Sequence, residues 1–139
     1  MAQAKSDAQQ RQSVTLPRQM PNPEGQQEDC LKINYHPKGL MNLRNSVDVN
    51  KIISRHFGTA LPQEANRFSV SGDRRALWLG PDESLLICAD QDAAELHRTL
   101  STQLTDKHFQ LTLLSDALAV YELNGPYVRE ILAKGCALD

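Results

Sequence analysis

Apolar positions are sparse up to about residue 30 and then recur in two periods, one suited to strands and one to helices. Leu40-Met41-Asn42-Leu43-Arg44 reads as a first strand. Val49, Ile52, Ile53 and Phe57 fall on one helical face, with Ser46 or Asp48 placed to cap the start and Gly58 to supply a left-handed stop. Phe68-Ser69-Val70 fits a short extra strand. Ala76 to Leu79 and Ser84 to Cys88 flank Gly80-Pro81-Asp82-Glu83, where Pro81 presets φ for a tight turn, so the whole reads as a β-hairpin. A second helix spans Asp92 to Thr105, with Ala93, Leu96, Leu100 and Leu104 as its stripe and Asp92 and Glu95 as an aspartate version of the capping box. Phe109 to Leu114 and Leu118 to Leu123 read as two strands, or as one strand interrupted at Ser115-Asp116. A last short helix begins at Gly125 and Pro126, presents Val128, Ile131 and Leu132 on one face, and stops at Gly135.

The order β-α-β-β-α-β, followed by a further strand and helix, is that of a ferredoxin-like α+β fold with helices on one face of an antiparallel sheet. Trp78, the single tryptophan, is expected in the hairpin core. Residues 1 to about 30 are Gln-rich and broken by Pro17, Pro21 and Pro23, so a disordered polar tail, or a docking arm that orders on a partner, precedes a domain over residues 31–139.

Composition narrows the function classes. The 139 residues carry a formal net charge of −2, with 40% hydrophobic and 23% charged residues. This lacks the basic field expected of a nucleic-acid or anionic-membrane binder. No apolar run reaches the roughly 18 residues that would span a bilayer, and the N-terminus has no apolar core of a secretory signal, so the expectation is cytoplasmic. Cys30, Cys88 and Cys136 are odd in number and far apart, as inert thiols of a reducing compartment would be.

Candidate chemistry is thin. Asp82 and Glu83 are adjacent, and neighbours in an extended chain point to opposite faces, which is a poor arrangement for shared acid–base work. His36, His56, His97 and His108 have no His or Cys partner at helical ligand spacing. Ser71-Gly72-Asp73-Arg74-Arg75 can meet a phosphate or an acidic patch on a partner, although a solvated loop is the simpler reading. Gly80 and Gly125 belong to no dinucleotide or phosphate-loop motif. Cys136 stands near a helix C-terminus, which disfavours a thiolate. No catalytic, cofactor-binding or metal-binding residue is therefore assigned.

The segment from Leu77 to Glu83, Leu-Trp-Leu-Gly-Pro-Asp-Glu, resembles the signature of the gamma subunit of heterotetrameric sarcosine oxidase. Three further stretches match in order. Asn42-Leu43-Arg44 is similar to an early Asn-Leu-Arg-Gly, with Asn45 in place of glycine. Leu61-Pro62 with Asn66 is similar to Leu-Pro-x-x-x-Asn. Asn124-Gly125-Pro126 through Lys134-Gly135-Cys136-Ala137-Leu138-Asp139 resembles the Gly-Pro to Lys-Gly-Cys-x-Leu-Asp segment. The resemblance covers about residues 40 to 139.

The resemblance implies a fold like the folate-binding domain of glycine-cleavage T-proteins. It also implies a non-catalytic assembly subunit of a complex that oxidatively demethylates sarcosine to glycine. The one-carbon unit passes to tetrahydrofolate or leaves as formaldehyde, and oxygen becomes hydrogen peroxide. Partners would be the alpha, beta and delta subunits, with FAD, FMN and NAD in the large subunits, zinc in the smallest, and no cofactor in this chain. The alternative is a stand-alone folate-binding or aminomethyltransferase-like protein. Three departures bear on this. Ser84 stands where the signature continues with tryptophan. Leu113 stands at the aspartate of the family's Asp-Val-Ser, where T-protein relatives carry a carboxylate, while Ser115 is kept. The chain stops at Asp139 where the family continues, so an uncovered sheet edge or apolar face is expected.

Overall fold

The computed structural model describes residues 14–17, 29–45 and 49–136. In chain order the elements are β1 (Val14–Pro17), β2 (Asp29–His36), β3 (Lys38–Asn45), α1 (Asn50–His56), β4 (Phe68–Ser71), β5 (Arg74–Gly80), β6 (Glu83–Ala89), α2 (Ala93–Gln103), β7 (Phe109–Leu113), β8 (Val120–Asn124) and α3 (Val128–Gly135). The class is α+β with antiparallel sheets, in two compact units, one over Pro37–Ala119 and one from the flanking segments.

The first unit is a five-stranded sheet in the order β4-β5-β6-β3-β7. Strand alternation decides which side chains meet the helices. Met41 and Leu43 of β3, Ala76 of β5, and Leu86 and Cys88 of β6 all point to one face. Against them pack Val49, Ile53 and Phe57 from the α1 segment, Leu61 after it, and Ala93, Leu96, Leu100 and Leu104 from the α2 segment. Ile52, Phe109 and Leu111 close the margin. The stripes read from the sequence are thus the observed core-facing stripes of both helices.

Turn chemistry agrees with the sequence at several points. Gly58 has φ 88°, the left-handed stop expected after α1. Pro81 and Asp82 form the turn between β5 and β6, with a bulge between Trp78 and Gly80. The β4–β5 turn has Gly72 at its first central position with φ 58°.

Helix starts differ from expectation. Ser46 and Asp48 lie outside the described residues, and the N-cap of α1 is Val49, with no side-chain capping bond. The side chain of Asn50 instead accepts from the Leu61 amide at 2.8 Å, tying the start of α1 to the connection that follows it. Asp92 forms no capping box. A single 3-10 turn over Asp90–Asp92 precedes α2, so Asp92 itself has helical angles (φ −91°, ψ −15°) rather than the extended backbone from which a cap reaches back. Helix α3 begins at Val128 rather than at Pro126, because Gly125 to Val128 forms a turn closed by the Val128 amide on the Gly125 carbonyl at 3.4 Å.

The second unit is a three-stranded sheet in the order β1-β2-β8. The tail expectation over residues 1–30 falls mostly outside the described residues, but within it Val14–Pro17 pairs with β2, and Asp29 and Cys30 open β2. Backbone pairing there supplies what composition alone does not reveal. Phe109 to Leu123 is not one interrupted strand, since β7 pairs with β3 and β8 pairs with β2 in the other sheet. The break is built by hydrogen bonds. Leu114 donates to the Leu40 carbonyl at 2.8 Å, the Ser115 hydroxyl accepts from the Leu40 amide at 3.0 Å, and the chain then turns, with Ala117 donating to the Leu114 carbonyl at 2.9 Å. Tyr35 and Tyr121 stand directly opposite across β2 and β8, their rings 5.6 Å apart and tilted by 54°. On α3, Glu130 and Lys134 pair at 2.7 Å, while Ile131 and Leu132 are exposed.

Close approach of α2 to the sheet depends on three small side chains. Gly39 faces Cys88 across β3 and β6, and a Cβ at Gly39 would lie 2.5 Å from the Ala93 Cβ and 2.7 Å from the Cys88 sulfur. The Ala93 Cβ cannot withdraw without moving α2. Gly39→Ala should therefore destabilise the protein by about 1–3 kcal/mol, the usual cost of overpacking. An unchanged urea midpoint would show that α2 is free to move away.

Candidate functional site

The β5–β6 hairpin carries the most specific sequence signature, and the structure places its residues in three surroundings. Trp78 and Ser84, directly opposite each other, lie on the helix-facing side. With Asn45, Val49, Asn50, Leu61, Pro62, Gln63 and Asp82 among their neighbours they line a cleft of about 380 Å³. Trp78 is half-buried at this cleft rather than central to the core, which corrects the sequence expectation. The physical reason is opposite it. Ser84 is small and buried at the position where the resembled signature carries tryptophan, and the volume left beside Trp78 is open. Asp82, whose carbonyl accepts from the Asn45 amide at 3.0 Å, is the one carboxylate among the described residues that line the cleft. Such a lining can hold a small polar group, and among the described residues it brings no second titratable group to the cleft.

Glu83 points to the opposite face of the sheet, as adjacent strand residues must. It accepts from Asn42 at 2.8 Å and from Arg44 at 2.9 Å. The Asn42 hydrogen bond, followed by that from Arg44, holds its carboxyl below the ordinary glutamate value. Glu83 is thus taken up by Asn42 and Arg44, while Asp82, in the turn before it, lines the cleft and adds its charge to the surroundings of Arg44.

The basic pair of the β4–β5 turn divides in the same manner. Arg74 turns inward, donates to the Phe57 carbonyl at 2.8 Å and lies 5.8 Å from the centre of the Phe57 ring. It thus serves the C-terminal end of α1, where a cation is favoured. Arg75 turns to the opposite face, is exposed, and its side chain makes no hydrogen bond or ion pair with any described residue. Its neighbours on that face are apolar. Two rows cross the strands there: Phe68, Leu77 and Leu85, and then Val70, Arg75 and Ile87. Phe68 is 67% exposed, Val70 50% and Leu79 47%, so the side of β4, β5 and β6 away from α1 and α2 presents an apolar patch. Sequence reasoning missed this patch because it read Phe68–Val70 only as a possible strand; the register against β5 is what aligns it with Leu77 and Arg75.

The remaining singled-out residues disperse. His36 lies 3.0 Å from Glu122 in the second unit, and its hydrogen bond is the largest influence lowering the Glu122 carboxyl. His97 lies 3.1 Å from the Leu111 carbonyl. Among the described residues no group of three or more His, Cys, Asp or Glu side chains is arranged to hold a metal. Burial pushes the Cys88 thiol up, and its sulfur lies 3.6 Å from the Gly39 carbonyl; Cys136 is exposed at the end of α3. Leu113 is 42% exposed on edge strand β7, opposite Met41. Asn66, part of the Leu-Pro-x-x-x-Asn stretch, has φ 60°, a left-handed conformation that asparagine tolerates better than most residues. Among the described residues no helix is long and apolar enough to cross a membrane.

A family model, the sarcosine oxidase, gamma subunit family, matches residues 47–139. The chain belongs to the sarcosine oxidase gamma subunit family. It is 41% identical over 88 residues to sarcosine oxidase subunit gamma of Corynebacterium sp. (strain P-1), covering 63% of this chain and 42% of that relative. It is 36% identical over 84 residues to sarcosine oxidase subunit gamma of an Arthrobacter species, covering 60% of this chain and 40% of that relative. A chain of the solved heterotetrameric sarcosine oxidase from Corynebacterium sp. U-96, in complex with pyrrole 2-carboxylate, matches with a TM-score of 0.69 at 26% identity, over 78% of this chain and 57% of that one. The chain thus spans less than half the length of these two curated relatives.

Two outcomes follow from the hairpin geometry. Trp78→Ala should cost about 2 kcal/mol rather than the 3–5 kcal/mol of a fully buried large aromatic, because one side of the ring already faces the cleft; chemical denaturation measures this. Because the Glu83 carboxyl is held low, its contribution to stability is fully present above the ordinary value of 4.5 and is lost as pH falls through the lower folded value. Glu83→Gln should therefore destabilise at pH 7, and the difference from the parent should shrink in melts at progressively more acidic pH.

Proposed function

We propose that this chain acts as a non-catalytic, gamma-type assembly subunit of a heterotetrameric sarcosine oxidase, a complex that oxidatively demethylates sarcosine to glycine. The observation that carries the reading is the structural likeness to a chain of such a heterotetramer over 78% of this chain. The site geometry supports it. Glu83 is taken up by Asn42 and Arg44, and among the described residues that line the cleft at Trp78 Asp82 is the one carboxylate. Partners in this reading are the alpha, beta and delta subunits, in the cytoplasm, and the reading assigns FAD, FMN, NAD and zinc to those partners.

The finer fold reading belongs here as well. Taken without β4, the strand order β5-β6-β3-β7, with α1 and α2 as crossovers, is the order of a split βαβ, ferredoxin-like sheet. This supports the likeness to the folate-binding domain of T-proteins. The rival reading, a stand-alone folate-binding or aminomethyltransferase-like protein, is weakened by Leu113, which places an aliphatic side chain on the edge strand where those relatives carry a carboxylate.

Co-expression with the alpha, beta and delta subunits of its own organism tests the proposal. The chain should co-purify with the flavin-bearing subunits, while the lone chain should be colourless and release no hydrogen peroxide from sarcosine. Sarcosine turnover or micromolar tetrahydrofolate binding by the lone chain would favour the rival.

A further inference from the structure

Resting on the assembly reading, we propose that the face of β4, β5 and β6 opposite α1 and α2 is the docking surface for another subunit of the complex. We further propose that the docked surface is an apolar strip carrying a carboxylate for Arg75. The apolar part is Phe68, Val70, Leu77, Leu79, Leu85 and Ile87, with the first two and Leu79 about half exposed or more. Toward β3 and β7 the same face carries buried Leu40 opposite Ile87 and otherwise turns polar through Asn42, Thr112 and the Arg44–Glu83 pair. An apolar centre with a polar margin is the pattern of a protein–protein contact rather than of ordinary solvated surface.

Arg75 decides the occupant. It stands between Val70 and Ile87 in the middle of the apolar rows, its side chain without a partner among the described residues. Covering it with a purely apolar surface would bury an unpaired cation, which is strongly unfavourable. A second copy of this chain seated on the same patch about a two-fold axis would bring one Arg75 toward the other, like charge against like. A different chain that offers a carboxylate among apolar side chains satisfies both the area and the charge. Aromatic and arginine side chains are also the types that most often dominate binding at such contacts, which points to Phe68 and Arg75 as the anchors.

The test uses the full chain with the alpha, beta and delta subunits, measuring capture by pull-down titration. Phe68→Glu and Arg75→Glu should each weaken capture at least tenfold, while Arg98→Glu, on the exposed side of α2, should leave it unchanged. Melting curves of the free variants should stay near the parent, since both side chains are exposed; should Phe68→Glu lose its fold, Phe68→Ala and Arg75→Gln carry the same comparison. Parent-like capture by the Phe68 and Arg75 variants overturns the docking surface and leaves the assembly reading standing. Failure of the parent itself to be captured overturns the assembly reading, and the docking role with it. A free-chain dimer in sedimentation that Phe68→Glu dissociates, with subunit capture intact, assigns the face to self-association and overturns the proposal.

Discussion

Strand β3 is hydrogen-bonded along both edges, to β6 on one side and β7 on the other, and the larger unit depends on that double pairing. Its side chains alternate between two environments. Met41 and Leu43 are fully buried beneath α1 and α2, whereas Asn42 and Arg44 reach the other face and hold Glu83. A one-residue slip would exchange the two sets, placing polar groups under the helices. Register here is therefore fixed by side chains on both faces, and the hairpin β5–β6 is located through it.

Much of this was legible in the residues. The apolar stripes of α1 and α2, the Gly58 stop and the Pro81–Asp82 turn each follow from local chemistry, and each is found where the sequence puts it. Strand alternation, used to set Asp82 and Glu83 apart, does not decide their directions, because Asp82 lies in the turn and only Glu83 in β6. What escaped was non-local. Neither period nor composition shows that Val14–Pro17 finds a partner in β2, or that β8 leaves the sheet to which β7 belongs. The capping box at Asp92 failed because a 3-10 turn, invisible to the pattern, had already set the backbone.

The candidate site was read from the right segment with the wrong emphasis. Trp78 attracts attention because tryptophan is large, yet Ser84 opposite it leaves the ring half-covered. Arg74 and Arg75 look equivalent in sequence, but one serves α1 and the other faces outward among apolar side chains. The distinction is a consequence of strand parity and becomes visible once the β4–β5 register is known.

The central position of β3 also governs when the unit can form. It is the first strand of its sheet in the chain and the last to be completed, since Leu40 bonds to Ser115 across 75 residues of sequence. Contacts of such long range slow folding, because chain entropy is spent before they form. During synthesis β3 must therefore wait with Met41 and Leu43 unshielded until β6, and finally β7, have left the ribosome. Residues near Ser115 thus act as the completing stitch, and a pause in translation ahead of them would prolong the interval in which the nascent chain is open to aggregation.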